Sequence, residues 1–178
     1  MATVTIDRIA TGGDGVARLE DGMVVFVPRT APGDMVEIEV VERKARFARG
    51  RALRVVSPGA GRVEPECIHY VRDHCGGCQL QHLTPEIQRA AKSAVAGDAL
   101  RRIGRREVAD PVVEPSPQSW RYRSKITLAA RNGRIGLHAY DRPEQVFDLE
   151  DCRITREGLM RLWASVRKLR EHLSPALE

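Results

Sequence analysis

The chain has 178 residues, 42% of them hydrophobic but only 4% aromatic, enough for one ordinary domain or two small ones with cores of Val, Leu, Ile and Ala. The opening MATVTIDRIA has no basic segment leading into an apolar one, and no apolar run approaches the roughly 18 residues of a membrane helix, so a cytoplasmic, membrane-free protein is expected. The formal charge of +5 is less informative than its distribution along the chain.

Residues 2–57 read as a small all-β unit. Val4 and Ile6 alternate with polar neighbours, the Gly-rich turn 11–15 leads into Val16–Leu19, and Glu20-Asp21-Gly22 turns the chain into Met23–Val27. After the break at 31–34, Val36, Ile38 and Val40 alternate with Glu37 and Glu39, and 47–56 completes five short strands. So many strands in so few residues fit a closed barrel of the OB type, because closure removes exposed strand edges. Residues 1–42 carry three basic and eight acidic side chains, whereas 43–56 carry six basic ones and no acid. That switch predicts a polarised surface, with Arg43, Lys44, Arg46, Arg49 and Arg51 available to RNA.

A linker at 57–61 precedes the cysteine-rich loop, and Thr84-Pro85 is an N-cap followed by a first-turn proline. The helix it opens has Ile87, Ala91, Val95 and Ile103 on one face and Gly104 as its stop. Asn132-Gly133 between two apolar runs predicts a hairpin, 145–149 a further strand, and Leu159, Leu162, Trp163, Val166, Leu169 and Leu173 a helical stripe. The second half, 58–178, is therefore expected to be α+β, and its closing residues look truncated.

The chemistry is concentrated in Cys67, Cys75 and Cys78, three of the four cysteines, the fourth being Cys152. Four thiolates in a chain without secretion signals suit a metal centre better than disulfides. Structural zinc commonly uses two short Cys pairs, and here only Cys75-Gly76-Gly77-Cys78 is such a pair, which favours [4Fe–4S] over zinc while leaving zinc open. Gly76 and Gly77 free the backbone to bend round a cluster and aim N–H groups at sulfur. His69 and His74 are expected to hydrogen-bond around the site rather than ligate, and His82, His138 and His172 to be ordinary structural residues. A second constellation, Arg101, Arg102, Arg105, Arg106, Arg121, Tyr122, Arg123, Lys125, Arg131 and Arg134, offers guanidinium groups for phosphate and an aromatic face for an unpaired base. The competing reading puts Trp120 and Tyr122 on a packed strand face. Gly12–Gly15 is no nucleotide loop, since a strand and not a helix follows.

Gly13-Asp14-Gly15-Val16-Ala17 with the segment 27–37 resembles a TRAM domain. In order, Cys67, Cys75-Gly76-Gly77-Cys78, Gln81-His82, Tyr122-Arg123-Ser124-Lys125 and Cys152 then resemble the N-terminal part of the bacterial RNA 5-methyluridine (uracil-5-)-methyltransferases acting on 23S rRNA or tRNA. The resemblance implies a TRAM barrel over 1–57, an α+β iron–sulfur central domain over 58–178, a [4Fe–4S] cluster on Cys67, Cys75, Cys78 and Cys152, RNA as partner and S-adenosylmethionine as the full-length protein's cofactor. It also implies a Rossmann-like methyltransferase domain with a nucleophilic cysteine, for which no sequence is left here. The expectation is an RNA-binding, inactive, monomeric N-terminal part of such an enzyme. The runner-up is a stand-alone, zinc-stabilised, non-enzymatic RNA-binding module.

Overall fold

The computed structural model describes residues 1–169. Six strands, β1 (Ala2–Thr5), β2 (Arg8–Ile9), β3 (Gly15–Arg18), β4 (Val24–Val27), β5 (Met35–Arg43) and β6 (Phe47–Ser57), form one sheet in the order β1-β5-β6-β4-β3-β2. β1 pairs with β5 and β2 with β3. Because β1 and β2 are one bent stretch of chain, they join the two ends of the sheet and close it. At the bend the Ile6 N–H donates to the Asp34 carbonyl (2.9 Å) and the Asp7 N–H to that of Val16 (2.8 Å), so no backbone donor is lost. Val4, Ile6, Ala17, Val25, Val27, Val36, Ile38 and Ala48 fill the interior. Gly50 faces them; a Cβ there would lie 3.2–3.3 Å from Ile38, Val25 and Val27, so the position has no room for a larger residue.

Three helices follow among the described residues: α1 (Ile68–Val71), α2 (Pro85–Arg102) and α3 (Glu157–Leu169). Thr84 caps α2 as expected, its hydroxyl accepting from the Ile87 N–H at 3.4 Å, and Ile87 and Ala91 pack on Ile9, Ala31 and Leu83. Gly104 does not supply the left-handed residue after this helix; Arg105 does, at φ 51°. Ile103, expected on the packed face, is 84% exposed. A second sheet holds β7 (Ala129–Arg131), β8 (Arg134–His138) and β9 (Val146–Asp148), all antiparallel. Its hairpin turns at Asn132-Gly133, both at positive φ, as the dipeptide predicts.

The expected succession of an all-β barrel and an α+β domain needs correction. The first sheet is mixed, since β4 and β6 run parallel. The compact units are also discontinuous in sequence. One comprises 1–64 with 79–115, so that α2 belongs with the barrel; the other comprises 65–78 with the chain from 116 on. Of the late apolar stripe, Trp163 is buried next to Met160 and donates to the Leu149 carbonyl at 2.8 Å. Leu162 and Leu169 are each 60% exposed, and Leu173 and His172 lie outside the described residues.

Candidate cluster site and nucleic-acid surface

All four cysteines fall in the second unit and all are free thiols, Cys67 and Cys75 buried, Cys78 and Cys152 half-buried. Three features bring the late cysteine to the early loop. His69 on α1 is 1% exposed; its Nδ1 lies 2.6 Å from the Asp73 carboxylate and its Nε2 accepts the N–H groups of Glu150 (3.0 Å) and Asp151 (3.4 Å). The ring stacks on Phe147 at 5.1 Å between centroids. The acceptor role of Nε2 places the proton on Nδ1, so a neutral imidazole bridges 81 residues of chain. Burial raises the Asp73 pKa, but hydrogen bonds from Arg72 and His69 outweigh it and leave the carboxyl below its ordinary range.

Arg121 is the second clamp. It sits in the left-handed region (φ 58°), chelates both Asp151 oxygens at 2.8 Å, and donates to the carbonyls of Cys152 (3.1 Å) and Thr155 (3.3 Å). Hydrogen bonding from Arg121 holds the Asp151 carboxyl below its usual pKa. Third, Cys75 bridges to Ala139 just past β8, with the Gly76 N–H on the His138 carbonyl at 2.9 Å. Two non-glycine residues at positive φ, His74 and Arg121, thus flank the cysteines, the kind of strain that surrounding contacts must hold in place.

The Cys75 thiol is pushed up to about 11 by burial, offset in part by the Gly77 N–H and raised again by the charges of Cys78, Cys67 and Cys152. All three other thiols are therefore within electrostatic reach of Cys75. The Gly77 N–H points at Cys75 Sγ at 3.3 Å, the role its lack of a side chain suggests. Among the described residues no group of three or more His, Cys, Asp or Glu side chains is drawn tightly enough to enclose a single metal ion. One tetrahedral zinc needs sulfurs only ~3.8 Å apart, given Zn–S bonds of ~2.3 Å. A core of several irons is larger and takes thiolates spread further apart, and four cysteines are the donor set such a core uses. Of the two histidines in the loop, His69 is saturated as described, while His74 stacks on Tyr140 with Asp141 3.4 Å from its Nδ1, which makes no hydrogen bond among the described residues.

The basic residues assigned to RNA separate into two classes. On β6 the arginines lie opposite the β5 acids, Glu37↔Arg54, Glu39↔Arg51 and Glu42↔Arg49. Arg54 pairs with Glu37 at 2.6 Å, Arg51 with Glu39, Arg49 with Glu42 at 3.4 Å, Lys44 with Glu42 at 3.1 Å, and Arg43 with Asp21. Charge that switches sign along the sequence is thus neutralised across the ladder, and the polarised surface predicted there is absent. Arg46 alone of the five is without an ion-pair partner among the described residues. In the second unit Arg121 is committed internally, whereas Tyr122 (48% exposed), Arg123 and Lys125 are open. Arg123 nevertheless has its backbone fixed, its N–H on the Ile154 carbonyl at 2.7 Å.

The first unit contains one polar group of note, invisible in the sequence. Asp34, fully buried, accepts from the N–H groups of Ala31 (2.7 Å) and Gly59 (2.8 Å) and from Arg62 (2.7 Å). His82 is buried beside Thr30, its Nε2–H donating to that carbonyl at 3.1 Å, and burial lowers its pKa to about 4. Cys-Gly-Gly-Cys stands out in the sequence as a cysteine loop, but nothing in the sequence marks His69 or Arg121 as the groups that bring Cys152 to it.

The TRAM domain model matches residues 2–53. The chain is 37% identical over 165 residues to an uncharacterized RNA methyltransferase of Bdellovibrio bacteriovorus, covering 92% of this chain and 41% of that protein. It is 35% identical over 179 residues to the 23S rRNA (uracil(1939)-C(5))-methyltransferase RlmD of Nitrosospira multiformis, covering 97% and 40%. The crystal structure of Pyrococcus abyssi tRNA (uracil-54, C5)-methyltransferase in complex with S-adenosyl-L-homocysteine superposes with a TM-score of 0.66 at 25% identity, over 95% of this chain and 37% of that one. The chain thus spans about two fifths of the length of these relatives. The likeness to RNA methyltransferases is nonetheless continuous over 92–97% of it. That continuity overturns two expectations: a merely RNA-binding part lacking any methyltransferase domain, and a zinc-stabilised non-enzymatic module. No helix among the described residues is long and apolar enough to cross a membrane.

Proposed function

Since the chain belongs to the RNA (uracil-5-)-methyltransferase family, we propose that it serves transfer of a methyl group from S-adenosylmethionine to C5 of a uracil in ribosomal or transfer RNA. The observation that carries this reading is the unbroken similarity to such enzymes over nearly the whole chain. Within it, Cys67, Cys75, Cys78 and Cys152 hold a [4Fe–4S] cluster, supported by four cysteines outside any disulfide in one unit and by the His69 and Arg121 contacts that bring the Cys152 turn to the early loop. Bound there, a cluster would supply iron–thiolate bonds between the early loop and the Asp151-Cys152 turn.

The chain's own residues do the rest. His69 and Arg121 set the backbone of that turn, Gly77 aims an N–H at sulfur, and the sheet β7–β9 seals Cys75 beneath Phe147 and Leu149. Arg46, Tyr122, Arg123 and Lys125 contact RNA, being exposed and free of acidic partners, while Arg43, Lys44, Arg49 and Arg51 reach phosphate only by giving up an ion pair each. Deleting the gene and mapping 5-methyluridine in total rRNA and tRNA tests the activity: loss at a defined uracil is expected, and an unchanged map overturns it. Iron and sulfide analysis after anaerobic purification tests the cluster; about four irons per chain is the expected value, and an iron-free, zinc-free protein overturns the ligand assignment.

A further inference from the structure

The β7–β9 sheet has two unlike faces. Ile135, Leu137 and Phe147 point inward with Ile126 and Leu128, into the cluster of residues around Cys75. By the two-residue period of a strand, Arg131, Arg134 and His138 point to the other face, and Lys125 and Thr127 are exposed in alternation with Ile126 and Leu128. Ala129 and Gly136 are paired in register between the arginines and His138, and Gly136 is buried against the backbone of Phe147 and Leu149. Within the three strands the one acidic side chain is Asp148, which its pairing with Gly136 places on this same face and whose carboxylate accepts from the Ile135 N–H at 3.1 Å.

Arg131 and Arg134 are directly opposed across the Asn132-Gly133 turn, and neither has an ion-pair partner among the described residues. Like charges facing each other across a ladder destabilise it. The turn itself needs neither arginine. An arrangement that works against folding, and that no ion pair among the described residues relieves, is what a binding site for an anion looks like before the anion arrives.

We infer that the outer face of β7–β9, with Arg131 and Arg134 as a phosphate-binding pair and Lys125 and His138 beside them, is a contact surface for the RNA backbone. This rests on the RNA-methyltransferase reading and extends it to a place. Two guanidinium groups flanking one turn match successive phosphates by charge and by bidentate donor geometry. The inner face of the same sheet packs on Cys75, so the order of the RNA-contacting strands is tied to the cysteine site beneath them.

The test uses the full chain, the variant Arg134→Glu and the double variant Arg131→Glu/Arg134→Glu, with a fluorescent single-stranded RNA titrated at several salt concentrations. Arg134→Glu replaces a like-charge pair by an opposite one, so thermal stability should hold or rise while RNA binding weakens. A misfolding explanation predicts that both fall. Each single-strand phosphate contact contributes about 0.7 to the slope of log affinity against log salt, so losing two flattens it by about 1.4. Between 50 and 200 mM salt, taken as about a fourfold change, that makes the affinity loss about sevenfold smaller than for the unaltered chain. Unchanged slopes in both variants, with the unaltered chain binding well, overturn this surface and leave the RNA reading standing. Failure of the unaltered chain to bind RNA overturns both.

Discussion

Replacing His69 by alanine should loosen the attachment of Cys152 to the rest of its site. The side chain is 1% exposed, so nothing in solvent takes its place. The Glu150 N–H loses its acceptor, about 1–3 kcal/mol for a buried donor left unmatched, and the stacking on Phe147 contributes about 0.5–1.5 kcal/mol more. Loss of the partner to Asp73 adds to this, so a destabilisation of about 3 kcal/mol is expected, within the range for breaking a buried polar network. With a urea slope of about 1–3 kcal/mol per molar, the midpoint for this unit falls by at least about 1 M. His69→Gln, which keeps an acceptor and a donor, should recover part of the loss. The assay is urea unfolding of the reduced, metal-free chain followed by Trp fluorescence, with the rate of thiol labelling at Cys152 measured in parallel. An unchanged midpoint with unchanged labelling refutes the assignment of His69 as the residue that positions this turn.

Asp34→Asn should cost about 3 kcal/mol, because it leaves Arg62 and two backbone donors facing a weaker acceptor. Burial raises the Asp34 pKa, but Arg62, Gly59 and Ala31 more than offset it, so the folded pKa lies below the ordinary carboxylate value. Its contribution is complete above about pH 4 and is lost as pH falls below that, so denaturation midpoints of the two proteins should converge in acid; a constant gap between them counts against the assignment. Cys152→Ser should abolish most of the iron and the visible absorbance of anaerobically purified protein, while retention of four irons removes Cys152 from the ligand set. Gly136→Ala would place a Cβ 1.8 Å from the Phe147 carbonyl oxygen, so thermal unfolding should show a loss of about 1–3 kcal/mol or more, and wild-type stability would contradict the strand packing.

Local chemistry was legible in the sequence where it acts locally. Thr84-Pro85 opens α2, Asn132-Gly133 turns the hairpin, and the Cys75–Cys78 pair marks the loop because each needs only its neighbours. The β6 arginines misled because charge along a chain says nothing of register: β5 supplied an acid opposite each of Arg49, Arg51 and Arg54. Arg121 was read as an RNA contact since its partner Asp151 is 30 residues away. The partners that give His69 its bridging role, Glu150 and Asp151, are far off in sequence. The parallel pairing of β4 with β6 likewise depends on a crossover that no periodicity records.

The gap of 73 residues between Cys78 and Cys152 has a consequence for biogenesis. Three sulfurs leave the ribosome well ahead of the fourth, by about 4–15 s at elongation rates of about 5–20 residues per second. During that interval the nascent loop is an incomplete chelator whose thiols are open to oxidants and to competing ions. A cluster on all four, as proposed, can be completed only in late elongation or after, and pulse-alkylation of ribosome-bound chains stalled before and after residue 152 would show reactive thiols at 67, 75 and 78 in both.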